Sequence, residues 1–150
     1  MRVVLDTNVL IDALTDEFNV QSQLIETVVN GEITAVYTAA VKREYERIRD
    51  RLTRVEAGRQ RVNEFLAACV NGPTGQVPVR LDDKEDRKFI AAATGSAADA
   101  IVTNDRHLLQ VGEIGPIKIM TPAECWHRFE DEQRGTSGVW HEWMKKMSNQ

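Results

Sequence analysis

The stretch Val3-Val4-Leu5-Asp6-Thr7-Asn8 is a short β-branched apolar run that ends at a carboxylate, and the predicted architecture starts from it. Such a run is typical of a strand that is buried on both faces of a sheet. A second stretch, Ala100-Ile101-Val102-Thr103-Asn104-Asp105, has the same character. We therefore predict two buried strands, the first of them central, and each is followed by an aspartate.

Helical and strand patterns alternate along the rest of the chain. Asn19 caps an amphipathic segment that stops at Gly31, and Thr38 caps a long helical hairpin with Gly58 as its candidate break. The acidic run over residues 81–86 precedes another helix, and Thr121-Pro122-Ala123-Glu124 combines a capping box with a proline at the first helical position. Further strands are predicted over residues 33–37, 76–80 and 117–120.

This alternation predicts the fold class, because each pair of parallel strands needs a crossover connection. We expect an α/β protein: a three-layer α/β/α sandwich with a mainly parallel central sheet of about five strands. One domain covers residues 1–133. Residues 134–138 are predicted to be a flexible link into a short amphipathic C-terminal helix, which completes a separate segment over residues 134–150.

Composition narrows the class of protein. The chain has 150 residues, of which 42% are hydrophobic and 28% charged, and its mean hydropathy is −0.38, as in a single globular domain. No apolar stretch is long enough to span a membrane, and no signal-peptide pattern opens the chain, so we expect a cytoplasmic protein. Cys69 and Cys125 lack the spacing of a zinc site and are predicted to be small buried hydrophobes.

Carboxylates indicate the chemistry. Ligands of open parallel sheets bind at the carboxyl ends of the strands, where Asp6 and Asp105 are expected, and Glu44 and Asp86 lie near helix starts on the same edge. An all-oxygen cluster suits Mg²⁺ or Mn²⁺, which activate water and stabilise charge on a phosphate, so the sequence favours phosphodiester hydrolysis. The alternative is that these residues are ordinary turn and helix-start acids.

Four motifs contain the four acids: Val3-Val4-Leu5-Asp6-Thr7-Asn8-Val9-Leu10-Ile11-Asp12, Val41-Lys42-Arg43-Glu44-Tyr45, Asp86-Arg87-Lys88-Phe89-Ile90-Ala91-Ala92-Ala93 and Ala98-Asp99-Ala100-Ile101-Val102-Thr103-Asn104-Asp105-Arg106-His107-Leu108-Leu109. Together these motifs resemble those of PIN-domain nucleases, the group that includes the VapC-like toxins of bacterial toxin–antitoxin pairs. The resemblance covers residues 1–125 and implies a PIN-like fold and a metal-dependent ribonuclease with Asp6, Glu44, Asp86 and Asp105 as its acidic cluster.

The acids are expected to play different roles. Asp6 and Asp105 are predicted to ligate metal directly because strand ends are rigid, Asp86 is the next ligand, and Glu44 acts directly or through water. Asp82 and Asp83 compete with Asp86, which the family pattern favours. Asp12 and Asp99 are predicted to lie outside the site. Four polar neighbours can position acids or water by hydrogen bonds: Thr7, Asn8, Thr103 and Asn104.

Basic residues cluster although the net charge is −4, with a local charge of +4 over residues 42–61 and −8 elsewhere. Arg43, Arg47 and Arg51 recur every four residues and are predicted, with Arg106, to contact the phosphates of RNA. A solvated helix face would look the same. His107 is a less favoured candidate for a general acid or base, because metal-assisted hydrolysis needs none.

Three functions remain open at this point. The first is a ribonuclease toxin with a cognate antitoxin, the second a housekeeping or structure-specific nuclease on RNA or DNA, and the third a scaffold that binds RNA or protein without cleavage. The tail carries an apolar stripe that packs onto the domain or serves a homodimer or antitoxin interface: Val139, Trp140, Trp143, Met144 and Met147.

Overall fold

The computed structural model describes residues 1–52 and 54–148, except for the side chains of residues 136–142. The described residues contain six strands, seven α-helices and one short 3-10 helix. In chain order they are β1 (Arg2–Leu5), α1 (Thr7–Thr15), α2 (Val20–Val29), β2 (Thr34–Tyr37), α3 (Ala39–Leu52), α4 (Glu56–Ala68), β3 (Val70–Asn71), the 3-10 helix (Lys84–Asp86), α5 (Arg87–Ser96), β4 (Ala100–Val102), α6 (Arg106–Val111), β5 (Glu113–Ile114), β6 (Ile117–Met120) and α7 (Pro122–Ser148).

The six strands of the described residues form one sheet in the order β3-β2-β1-β4-β6-β5. All neighbouring pairs are parallel except β5 and β6, which pair antiparallel at one edge. Strands β1 and β4 lie side by side at the centre, with Leu5 opposite Val102. The residues that follow the two strands, Asp6 and Thr103, therefore lie at the same edge of the sheet.

Both faces of the central strands are covered. Side chains alternate between the faces of a strand, yet Val3, Val4 and Leu5 are all buried, as are all three residues of β4. Helix α5 packs against β1, β2 and β4, while α2 contacts α1, α4 and α7. The predicted α/β class and mostly parallel central sheet are confirmed, with six strands in place of about five.

Helix starts follow the predicted caps. The Asn19 side chain accepts a 2.8 Å hydrogen bond from the Ser22 N–H at the start of α2. At the start of α7, Thr121 Oγ1 accepts from the Glu124 N–H at 3.2 Å, and Glu124 Oε1 accepts from the Thr121 N–H at 3.4 Å. Each cap satisfies backbone donors that a helix leaves unpaired. No helix of the described residues is long and apolar enough to cross a membrane.

Two predictions of secondary structure are wrong: the strand over residues 76–80 and the helix break at Gly58. Residues 76–80 form no strand, and the short edge strand β3 pairs with β2 instead. Pro78 has no N–H to offer a ladder, which disfavours a strand there. Helix α3 ends at Leu52 and α4 begins at Glu56, so Gly58 lies inside α4.

The predicted link over residues 134–138 is also wrong, because α7 is one helix of 27 residues. Gly135 weakens a helix by only about 1 kcal/mol, and the turns before it carry three i,i+4 pairs. These pairs are His127–Asp131, Arg128–Glu132 and Glu130–Arg134. The domain boundary at residue 133 stays a prediction. The described part of the predicted apolar stripe is about half exposed: Trp143, Met144 and Met147.

Two glycines hold the coil that leads to the 3-10 helix against α5. The Gly75 N–H donates to the Ala91 carbonyl at 2.8 Å, and the Thr94 hydroxyl donates to the Gln76 carbonyl at 2.7 Å. A Cβ on Gly95 would lie 1.9 Å from the Pro73 carbonyl oxygen, so only glycine allows this approach. The beginning of the coil that carries Asp86 into place is therefore fixed.

Candidate functional site

The site begins where β1 and β4 end. The Asp6 N–H continues the sheet ladder by donating to the Val102 carbonyl at 2.9 Å. The Thr103 hydroxyl donates to Asp6 Oδ2 at 2.6 Å. Thr103 has no exposed surface, and its own N–H donates to the Met120 carbonyl at 2.9 Å. The backbone that carries Asp6, and the residue that positions its side chain, are therefore both held by the sheet.

Asp6 is a buried carboxylate with only 6% of its surface exposed. Burial raises its pKa above the usual value, and the negative charges of Asp105 and Glu44 act in the same direction. The hydrogen bond from Thr103 opposes this shift. A cation near Asp6 would remove the electrostatic penalty that the neighbouring acids impose.

Asp105 caps helix α6 and shares Thr103 with Asp6. Its Oδ1 accepts a 2.9 Å hydrogen bond from the His107 N–H, and its own N–H donates to Thr103 Oγ1 at 2.9 Å. One hydroxyl thus donates to the first strand-end acid and accepts from the backbone of the second. The two predicted strand-end acids are brought together by this contact.

Asp86 enters the site from the 3-10 helix, whose start is capped by Asp83 through a 2.8 Å bond from the Glu85 N–H. Asp86 is 6% exposed, and its Oδ2 atom has no hydrogen-bond partner among the described residues. Burial raises its pKa to about 6, and the charges of Asp105, Asp83 and Asp6 add to the shift. Asp82 and Asp83, its competitors in the sequence, are exposed.

Glu44 stands apart from the other acids because its charge already has a partner. Its Oε2 accepts a 2.6 Å hydrogen bond from the Thr7 hydroxyl, and its Oε1 accepts from Lys88 Nζ. Lys88 also donates to Glu85 at 2.6 Å. Burial acts to lower the pKa of Lys88, but the bonds to Glu44 and Glu85 outweigh it, so the pKa is raised.

Sequence reasoning missed Lys88 as a member of this site. The signal in the sequence is weak: Glu85 and Lys88 have the i,i+3 spacing of a helical ion pair, which usually marks a solvated surface. Nothing local shows that Glu44 of another helix completes the contact.

The polar neighbours divide into two groups. Thr7, Asn8 and Thr103 contact site acids, with Asn8 Nδ2 donating to Asp6 Oδ2 at 3.3 Å. Asn104 Nδ2 instead donates to Asp12 Oδ2 at 3.1 Å, and the Asn104 N–H donates to Asn8 Oδ1 at 3.4 Å. Asp99 lies at the opposite end of β4, where its Oδ2 accepts from the Arg2 N–H at 2.8 Å.

Two hollows flank the acids. One of about 330 Å³ is lined by Thr7, Glu44, Arg47, Ile48, Arg51 and Leu52. Another of about 540 Å³ is lined by residues that include Asp86, Arg80 and His107. Two of the predicted RNA-contacting arginines, Arg47 and Arg51, therefore adjoin Glu44. Arg43 and Arg106 are exposed but line neither hollow.

The donor set fits a hard divalent cation. In the described part of the chain, no three Asp, Glu, His or Cys side chains are already closed around one point. Even so, Asp86 presents a buried oxygen that has no hydrogen-bond partner among the described residues, and the charges of Asp105 and Asp6 act on its carboxylate. Carboxylate oxygens of this kind are the ligands that Mg²⁺ and Mn²⁺ prefer, whereas the cysteine thiols, with pKa values raised to about 12 by burial, are not thiolate ligands.

The mostly parallel sheet and the acids at its neighbouring strand ends define an α/β protein with an acidic site at the carboxyl edge of the sheet, and sequence comparison makes the class specific. A profile described as the PIN domain matches residues 2–107, so the chain belongs to the PIN-domain family. PIN domains are generally nucleases. No curated protein matches the chain as a sequence relative.

The fold is similar to that of a chain in a solved complex. This chain belongs to one of several matching structures, the crystal structure of VapBC2 from Rickettsia felis bound to a DNA fragment from their promoter. The TM-score is 0.56 at 13% sequence identity, and the match covers 81% of this chain and 98% of that one. At this identity the similarity confirms the PIN-like fold.

Proposed function

We propose that this protein is a metal-dependent endoribonuclease that hydrolyses phosphodiester bonds of RNA. One observation carries the proposal: the buried Oδ2 of Asp86 has no hydrogen-bond partner among the described residues, while the charges of Asp105 and Asp6 act on the same carboxylate. Keeping such carboxylates together is unfavourable without a cation. Membership of the PIN-domain family supports the same function.

The proposed catalytic set is Asp6, Glu44, Asp86 and Asp105. Asp6, Asp86 and Asp105 would hold Mg²⁺ or Mn²⁺, with Glu44 acting as a direct ligand or through water. The cation would supply a water of lowered pKa and positive charge for the phosphate. Thr103 and Asn8 orient Asp6, and Thr7 orients Glu44.

The proposed RNA surface adjoins these acids. Arg47 and Arg51 line the hollow next to Glu44, and we assign Arg43 and Arg106 to the flanks of the same path. Arginine contacts to phosphate supply affinity without reading the sequence. The nucleotide sequence that is cut is therefore a separate property from the charge of this surface.

Cleavage of a mixed single-stranded RNA pool tests the proposal. Wild-type protein should cleave with Mg²⁺ or Mn²⁺ and not with EDTA, and Asp6→Asn should lose at least about a hundredfold in rate, because metal-site acids contribute several kcal/mol. Asp12→Asn is the matched control, because Asp12 pairs with Asn104 outside the cluster. Cleavage that persists in EDTA or in Asp6→Asn would overturn the proposal. A DNA pool of the same sequences distinguishes the two nucleic acids.

We further propose that the protein is the toxin of a type II toxin–antitoxin pair and binds a cognate antitoxin in the cytoplasm, with a homodimer as its expected assembly. The fold similarity to a chain of a VapBC2 complex supports this assignment. The product of a small neighbouring gene should abolish cleavage when it is added in equal amount. Undiminished cleavage in that mixture, with binding demonstrated, would favour a housekeeping nuclease.

A further inference from the structure

Lys88 is a partly buried cation within the acidic site. Its side chain is 18% exposed, as is that of Glu44, whereas that of Glu85 is 72% exposed. The Nζ atom also lies 5.9 Å from the centroid of the Phe89 ring. Lysine is rarely withdrawn from water unless an opposite charge compensates for the loss of hydration. Glu44 is the shielded partner, and Glu85 is the solvent-exposed one.

Both oxygens of Glu44 are engaged, one by Lys88 and the other by the Thr7 hydroxyl. These contacts join α3 to α5 and to the first residue of α1. A divalent cation placed directly on Glu44 would lie beside the ammonium group, and like charges at such distances repel strongly in a partly dry site. Asp86 differs, because its Oδ2 has no competing partner among the described residues.

We propose that Lys88 is a positioning residue that holds the Glu44 carboxylate away from direct metal coordination and leaves the cation to Asp6, Asp86 and Asp105. The inference rests on the proposed function and refines it, because it separates the acids by task. Asp6, Asp86 and Asp105 bind the cation. Glu44, held by Lys88 and Thr7, acts without direct contact with the cation.

Binding of Mn²⁺ alone, followed by the electron paramagnetic resonance signal of the free ion, tests this without RNA. Asp86→Asn should weaken binding at least about tenfold, as expected for loss of a ligand. Glu44→Gln removes a charge that Lys88 already compensates, so it should change binding less than about threefold. Lys88→Met should tighten binding about threefold to tenfold, because it frees Glu44 as an additional ligand. Glu85→Gln, which removes the exposed partner, and Lys88→Arg, which keeps the charge, are controls that should stay within about twofold of wild type.

The double variant Lys88→Met/Glu44→Gln separates positioning from simple charge. Because the gain from Lys88→Met depends on Glu44, it should disappear in the Glu44→Gln background. An equal gain in both backgrounds would overturn the proposal, since Lys88 would then act only as a distant positive charge. A loss of affinity in Glu44→Gln as large as in Asp86→Asn would also overturn it. Thermal unfolding of each variant shows that it is folded.

The two proposals fail in different ways. If wild-type protein binds no Mn²⁺, or if Asp86→Asn binds it equally well, the metal-dependent function fails and the division of tasks fails with it. If Asp86→Asn loses Mn²⁺ and Lys88→Met leaves affinity unchanged, the function stands and only the role of Lys88 is overturned.

Discussion

The Thr103 hydroxyl donates to Asp6 Oδ2 at 2.6 Å, across from the end of β4 to the end of β1. The two residues are 97 positions apart in the sequence. The same hydroxyl oxygen accepts from the N–H of Asp105, so one side chain sets the spacing of both strand-end acids. Because Thr103 is fully buried, no water can readily replace it.

Thr103→Val should impair the site more than the fold. Valine keeps the shape of threonine but leaves Asp6 and the Asp105 N–H without this partner, which costs about 1–3 kcal/mol in stability. RNA cleavage should fall about tenfold to a hundredfold, as for other residues that orient metal ligands. Urea unfolding and cleavage rates measure the two effects. Thr103→Ser retains the hydroxyl and should keep most of the activity; an equal loss in both variants would contradict this role.

Asp86→Asn should stabilise the metal-free protein. Asparagine removes a buried charge whose neighbours are also negative, so unfolding at pH 7.5 in EDTA should cost about 1–2 kcal/mol more than in wild type. Urea unfolding measures the difference. The exposed Asp82 provides the control, and Asp82→Asn should change stability by less than about 0.5 kcal/mol. A destabilised Asp86→Asn protein would show that the carboxylate has an attractive partner.

The metal-free protein should become more stable as the pH falls from 8 to 5. The pKa of Asp86 is raised from 3.8 to about 6, so the folded state takes up a proton before the unfolded state does. This contribution is fully present below the unfolded pKa and is lost as pH rises through about 6. Urea midpoints in EDTA across this range measure it, and the difference between wild type and Asp86→Asn isolates Asp86. A difference that is independent of pH would contradict the assignment.

Gly95→Ala should destabilise the fold by about 3 kcal/mol, because the new methyl group would overlap backbone atoms of Pro73 and Gly75. Gly135→Ala is the matched control: this glycine is also helical, but a Cβ there meets nothing within 4 Å. Helix propensity alone should make Gly135→Ala about 1 kcal/mol more stable. Chemical unfolding of the two variants compares them directly, and similar shifts in both would contradict the close packing at Gly95.

The sequence predicts those parts of the fold whose signals are contained in a few neighbouring residues. The apolar runs before Asp6 and Asp105, the Asn19 cap and the Thr121–Glu124 box are of this kind, and the structure has all of them. Strand β3 has only two residues, too few for a periodic pattern. Gly135 looks like a break because a local signal takes no account of the helical turns on both sides of it.

The candidate site, like the fold, is predictable only where its signals lie in a few neighbouring residues or follow from the sheet topology. Rules for parallel sheets bring Asp6 and Asp105 to one edge from the sequence alone. The contact between Lys88 and Glu44 joins residues 44 positions apart on different helices, and no local pattern specifies such a pair. That Asp86 Oδ2 has no partner in the described part of the chain is likewise a property of the packed molecule, since it depends on every group around it.

The adjacency of β1 and β4 also determines when the acids can come together during protein synthesis. Translation delivers Asp6 first and Asp105 last of the four acids, and the sheet can place them side by side only after both strands have left the ribosome. A nascent chain that has not reached residue 105, or a fragment released by a stalled ribosome before it, carries at most three of the four acids. The late position of Asp105 in the sequence thus keeps the complete set of four acids out of every earlier translation intermediate.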